Sequence, residues 1–147
     1  MMRLHRLSAT EIVKAVGVGV VTAILLSIIA IAGQVSGMSP MPDPLGLAFA
    51  QLLLGDVPLP VGLLFHVVYV TFWTVAYVAL FRTDLSLLNA LGLGLLLWVV
   101  VLVGFFPLVG WGFLGLHVGP QLIVGSLVPH ILFALFIWTC SRLVFRT

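Results

Sequence analysis

The stretch "QLIVGSLVPHILFALFIWTCSRL" (residues 121–143) is apolar enough to cross a lipid bilayer, yet it carries Pro129 and His130 side by side. Three further runs of the same character precede it, at about 12–33, 60–81 and 85–106. Each run reaches the roughly 20 residues that a bilayer core of about 30 Å requires. Because hydrocarbon offers no water to backbone N–H and C=O groups, such runs form helices. The sequence therefore predicts an all-α integral membrane protein, a single-domain bundle of four transmembrane helices.

The composition excludes an ordinary soluble domain and points to the lipid bilayer as the main partner. Of the 147 residues, 63% are hydrophobic and 7% are charged, whereas soluble domains carry roughly 25% charge. Six Lys or Arg and four Asp or Glu leave no basic surface that could follow nucleic-acid phosphates. The single cysteine, Cys140, excludes a disulfide within the chain and a cysteine metal cluster. We expect it to be a small packing residue.

The basic residues predict the orientation of the bundle. All of them flank the same side of the four runs: Arg3, Arg6, Lys14, Arg82, Arg142 and Arg146. The connections at about 34–59 and 107–120 contain neither Lys nor Arg. Since cytoplasmic loops are enriched in basic residues, we expect both termini to be cytoplasmic in a prokaryotic plasma membrane.

The first run has an alternative interpretation as a signal peptide. It follows a basic start, and Ala30-Ile31-Ala32 resembles a signal-peptidase site. The apolar run is, however, longer than the 7–15 residues typical of a signal peptide. We therefore prefer an uncleaved first span.

Both outer connections contain structural signals of their own. Asp43 followed by Pro44 predicts an N-cap and first turn, and Gly55 predicts a C-terminal stop. The helix between them, at about 44–54, is too short to span and is expected to be interfacial or re-entrant over the outer mouth. The connection at 107–120 is expected to fold back against the bundle, with Trp111 at headgroup level.

Small and charged residues of the first span predict contacts within the bundle. Gly19, Ala23 and Ser27 lie four residues apart and form a stripe that allows another helix to approach closely. Glu11 and Lys14, three residues apart, are expected to pair at the inner edge.

The histidines are the candidate binding residues. His66 and His130 are expected at about 7 and 12 Å below the outer edges of their helices, at 1.5 Å per residue, and His117 lies in the loop above. In one interpretation, His66 and His130 hold a haem iron or a metal, or bond a quinone. In the other, each ring bonds a neighbouring hydroxyl or carbonyl group and specifies packing. Pro129 supports the second interpretation, because it leaves the carbonyl of Gly125 without its helical donor.

The second half of the chain resembles a family of small uncharacterised four-span membrane proteins from prokaryotes, the YagU-like proteins. The resemblance rests on a glycine-rich turn before a last helix with an early histidine: Pro107, Gly110, Gly112, Gly115 and His130. It implies the four-span fold and no particular activity.

The sequence favours a non-catalytic role. No catalytic motif is evident, and we expect an accessory or interaction subunit that packs against other membrane subunits or a second copy of itself. The alternative is a redox protein that binds haem, a metal or a quinone through His66 and His130. A small carrier or channel is a third hypothesis, which the lack of acidic residues deep in the spans disfavours.

Overall fold

A computed structural model describes residues 6–145 and contains four long apolar helices. The long helices and the one short apolar helix are α1 (Ala9–Val35), α2 (Leu45–Leu54), α3 (Leu59–Phe81), α4 (Leu87–Leu108) and α5 (Gln121–Phe145). The described chain has no strand. The predicted four-span, all-α fold is confirmed, and the helices extend at most a few residues beyond the predicted spans.

The starts of α1 and α4 are capped by side chains. Ser8 and Glu11 form a capping box at the start of α1, in which each side chain bonds the backbone N–H of the other. Ser86 accepts a hydrogen bond from the backbone N–H of Asn89 at the start of α4. Since the first N–H groups of a helix have no partner within it, these bonds fix where both spans begin.

Small residues set how closely the helices approach one another. A Cβ added at Gly19 would lie 2.6 Å from the Cα of Thr71, so the backbones of α1 and α3 meet there. Ala23 on the same face is fully buried, which confirms the predicted seam at these two positions. A Cβ at Gly94 would lie 2.7 Å from the carbonyl oxygen of His130, and α4 therefore crosses α5 at this histidine.

The long helices do not all contact one another equally. The main contacts run from α1 to α3, from α1 to α5 and from α4 to α5. Although α3 and α4 are consecutive, they touch very little. The bundle is therefore open on the side between α3 and α4.

The ion pair made by Glu11 differs from the predicted one. Glu11 pairs with Arg82, whose Nε lies 2.7 Å from a carboxylate oxygen, and the predicted partner Lys14 is exposed. The prediction was wrong because α1 packs against α3, which brings the turn after α3 to the start of α1. The Arg82 guanidinium also lies 4.9 Å from the ring centroid of Phe145. Arg82 thus joins the start of α1, the α3–α4 turn and the end of α5.

The short helix α2 lies where it was predicted, but Asp43 does not cap it. Pro44 occupies the N-cap position, and within residues 6–145 no side chain caps the first turn. The residue before a proline is restricted to extended conformations, and Asp43 stands between Pro42 and Pro44. Gly55 does end the helix, with φ of 80° and its N–H bonded to the carbonyl of Gln51.

The outer connection after α4 folds back on the bundle as expected. Trp111, however, is 8% exposed and is not placed to face headgroups. Its backbone N–H donates to the carbonyl of Phe106, and the centroids of the two rings lie 5.3 Å apart. The turn after α4 packs the indole into a cluster of buried side chains that includes Phe106 and Leu122.

Candidate functional site

A cavity of about 320 Å³ lies between α3, α4 and α5, where α3 and α4 separate, and side chains of α2 also line it. Both His66 and His130 line it, together with Tyr69 and apolar side chains. We call this space the lateral cavity. Several lining residues are also exposed on the outside of the bundle, among them Tyr69 (42%), Val100 (52%) and Leu108 (66%). The lateral cavity therefore opens sideways, between two helices that are long enough to span a bilayer.

The α4 wall of the lateral cavity contains a π-helical turn at Val101–Phe105. Val101, Gly104 and Phe105 of this turn line the cavity. A π-helical turn inserts an extra residue into an α-helix and occurs frequently at functional sites. Gly104 has no atom within 4 Å of where a Cβ would stand, so this part of the wall is open.

His130 uses one of its two ring nitrogens within its own helix. Its Nδ1 lies 2.7 Å from the carbonyl oxygen of Ser126, one turn earlier. A carbonyl group only accepts hydrogen bonds, so Nδ1 is the protonated nitrogen of the neutral ring. The other nitrogen, Nε2, has no hydrogen-bond partner among residues 6–145. Nε2 is therefore the acceptor that His130 can offer to a bound molecule.

Contacts with α4 hold this histidine in place. The indole N–H of Trp98 donates to the carbonyl of Ile123 at 3.1 Å and to the hydroxyl of Ser126 at 3.2 Å. The Ser126 hydroxyl donates in turn to the carbonyl of Ile123. Together with the close approach at Gly94, these bonds fix the backbone from which His130 projects. A ring with a fixed orientation is suited to directional binding.

His66 lies on the opposite wall and is held differently. It is packed against α2, since a Cβ at Gly46 would lie 2.8 Å from the Cβ of His66. The Nε2 of His66 is buried and has no hydrogen-bond partner in the described chain. Because that atom is covered by protein, His130 offers the more accessible ring nitrogen of the two.

A second, smaller cavity of about 70 Å³ lies between His66, α1 and α2. Ser27 and Gln34 of α1 line it, and Gly46, His66 and Pro129 line both cavities. The hydroxyl of Ser27 is buried and has no hydrogen-bond partner among residues 6–145. His66 thus lies in a wall that the two cavities share.

His117 lies apart from the other two histidines. Its ring packs against Gly112, where an added Cβ would lie 2.6 Å from the imidazole Cγ. Its side chain is exposed, and it is not among the residues that line either cavity. The structure brings together His66 and His130 and leaves His117 in the outer loop.

The site residues fit a metal or haem less well than a small organic molecule. Within residues 6–145, no three His, Cys, Asp or Glu side chains come close enough to hold a metal ion. Two axial histidines could hold a haem iron, but the Nε2 of His66 is covered by protein. The His130 Nε2 can instead accept one hydrogen bond from an organic molecule in the lateral cavity.

Sequence reasoning identified both histidines but not the cavity between them. Comparisons with protein-family models, with curated proteins and with solved structures find no match to this chain. The resemblance to YagU-like proteins stays a prediction.

Proposed function

We propose that this chain is a membrane protein that binds a lipid-soluble small molecule in the lateral cavity. The observation that carries the proposal is the position of His130. A hydrogen bond to its own helix holds this polar ring in the wall of a largely apolar cavity. This function develops the ligand-binding alternative from the sequence. We favour it over the accessory subunit and over the carrier or channel because the lateral cavity and its histidine are features of a binding site.

The size and lining of the cavity support a small apolar ligand. Ligand sites typically enclose about 300–1,000 Å³ and combine apolar walls with a few placed polar groups. The lateral cavity, at about 320 Å³, lies at the lower end of this range. A dry cavity of about 150 Å³ accepts benzene in another protein. Two fused rings therefore fit here, and a longer tail would extend through the side opening.

The side opening supports access from the bilayer. Tyr69, Gly104 and Leu108 border it, and all three lie within candidate membrane spans. A molecule dissolved among lipid chains would reach the cavity without crossing the headgroup layer. A charged molecule would not take this route, because charge is costly in hydrocarbon.

Binding of naphthalene to the protein in lipid nanodiscs tests the proposal. Equilibrium dialysis should show saturable binding of naphthalene above that of nanodiscs without protein. Gly104→Leu should abolish this binding, because the leucine takes up space at the open wall of the cavity. Gly92→Leu is the matched control: Gly92 also has no atom within 4 Å of an added Cβ, lies on the same helix and does not line the cavity.

We expect Gly92→Leu to bind naphthalene as the unmodified protein does. The proposal is wrong if the protein adds no saturable binding to the nanodiscs. It is also wrong if Gly104→Leu and Gly92→Leu bind equally well, because the molecule would then reside elsewhere.

We also propose the orientation and the location given by the basic residues. The Glu11–Arg82 pair and the Arg82–Phe145 contact bring the start of α1, the α3–α4 turn and the end of α5 together. The described cations Arg6, Lys14, Arg82 and Arg142 belong to these segments; Arg3 and Arg146 lie outside the described residues. The positive-inside rule then supports a cytoplasmic position for this side, in a prokaryotic plasma membrane.

A further inference from the structure

We infer that the ligand of the lateral cavity carries an uncharged hydroxyl or N–H group, which donates a hydrogen bond to the Nε2 of His130. This inference rests on the proposed function and deepens it, because it specifies the chemical class of the ligand. The class comprises phenols, quinols and long-chain or isoprenoid alcohols. It excludes molecules whose polar groups only accept hydrogen bonds.

The first step is the protonation pattern of the His130 ring. The bond from Nδ1 to the Ser126 carbonyl places the proton of the neutral ring on Nδ1. Nε2 then carries a lone pair and has no hydrogen to donate. A quinone or an ether has only acceptor oxygens. An oxygen lone pair would then face the lone pair of Nε2, and no hydrogen bond would form. A hydroxyl group on the ligand would donate a hydrogen bond to Nε2.

The second step is the absence of charge in the cavity wall. Among the residues that line the lateral cavity, none is Lys, Arg, Asp or Glu. An imidazolium ring would have no counter-ion there, which supports the neutral form of His130. A phosphate, carboxylate or ammonium head would likewise be buried without a partner. The ligand head is therefore polar and uncharged.

The third step is the second polar side chain at the opening. Tyr69 lines the lateral cavity near its exposed edge, and its ring contacts Trp73 at 6.3 Å between centroids. A phenolic O–H can donate as well as accept. Tyr69 thus adds a second uncharged polar group to the cavity wall, which suits an uncharged polar ligand.

A matched pair of probes tests the inference, namely 2-naphthol and its methyl ether, 2-methoxynaphthalene. Both are measured by equilibrium dialysis with the protein in nanodiscs, and the affinities are referred to the lipid phase. We expect 2-naphthol to bind about two- to tenfold more tightly than the ether, the range that one net hydrogen bond provides. His130→Phe should remove this preference. In histidine-labelled protein, the 15N resonance of the His130 Nε2 should shift with 2-naphthol and not with the ether.

The outcomes separate this inference from the proposed function. If naphthalene binds but 2-naphthol has no advantage over the ether, the inference is overturned and the proposed function stands. The same holds if the advantage persists in His130→Phe, or if 2-naphthol leaves the Nε2 resonance unchanged. If neither naphthalene nor either probe binds above empty nanodiscs, both proposals are overturned. The resonance shift needs no variant, so a folding defect of His130→Phe would not obscure the result.

Discussion

The Nδ1 of His130 donates to the carbonyl oxygen of Ser126, 2.7 Å away and one turn earlier on α5. This bond is not the one that Pro129 removes from the helix. Pro129 leaves the carbonyl of Gly125 without its helical donor, whereas the ring bonds the carbonyl of Ser126. One ring nitrogen of His130 therefore bonds within α5, and the other is free to bind a molecule in the lateral cavity. The two interpretations drawn from the sequence are compatible.

The close approach of α1 and α3 predicts a difference between two glycines of the same helix. Gly19→Ala should destabilise the protein by about 1–3 kcal/mol, the usual cost of overpacking, because its Cβ would lie 2.6 Å from the Cα of Thr71. Gly17→Ala should be neutral or slightly stabilising, since Gly17 has no atom within 4 Å and alanine favours a helix. Unfolding titrations in detergent measure both. Equal effects would mean that the helices do not cross at Gly19.

The docking of α2 predicts that Gly46 matters more than Asp43. Gly46→Ala should loosen α2, because its Cβ would collide with the backbone of Gly62 and lie 2.8 Å from the Cβ of His66. Asp43→Ala should have little effect, since no side chain caps this helix. Hydrogen exchange over Leu45–Leu54 reports the result. Faster exchange in Asp43→Ala than in Gly46→Ala would show that the cap, not the glycine contact, holds α2.

The proposed orientation predicts which surface positions are accessible from outside the cell. In a Cys140→Ser background, Met38→Cys should react with a membrane-impermeant maleimide in intact cells, and Thr83→Cys should react only after permeabilisation. Both positions are exposed, so burial does not limit either reaction. Labelling of Thr83→Cys in intact cells, with Met38→Cys protected, would reverse the topology.

The spans could be predicted from the sequence because bilayer thickness sets their length, and each run of apolar residues is long enough by itself. The stop at Gly55 and the small-residue seam at Gly19 were also predictable, because each depends on local geometry. The ion-pair partner of Glu11 could not be predicted in this way. Lys14 is its neighbour along the helix, whereas Arg82 reaches it only through the packing of α1 on α3. The N-cap at Asp43 failed for a local reason, the two flanking prolines.

The candidate site was predicted in its residues and not in its shape. Depth along the helices indicated that His66 and His130 could lie at similar levels, and both do line one cavity. The cavity itself results from the separation of α3 and α4 and from the π-helical turn at Val101–Phe105. Neither feature could be predicted from the pattern of apolar residues, because that pattern predicts an uninterrupted α-helix for α4.

The most direct test of ligand binding in the lateral cavity is the measurement of nuclear Overhauser effects between naphthalene and methyl-labelled protein in nanodiscs. Leu97 and Val101 line the cavity and are 2% and 7% exposed, so naphthalene dissolved in lipid does not contact them unless it enters. Val13 and Leu143 are 71% and 70% exposed on the outside of the bundle. We expect Overhauser effects at the Leu97 and Val101 methyl groups that disappear in Gly104→Leu and persist in Gly92→Leu. Effects at Val13 and Leu143 alone, with none at Leu97 or Val101, would contradict it.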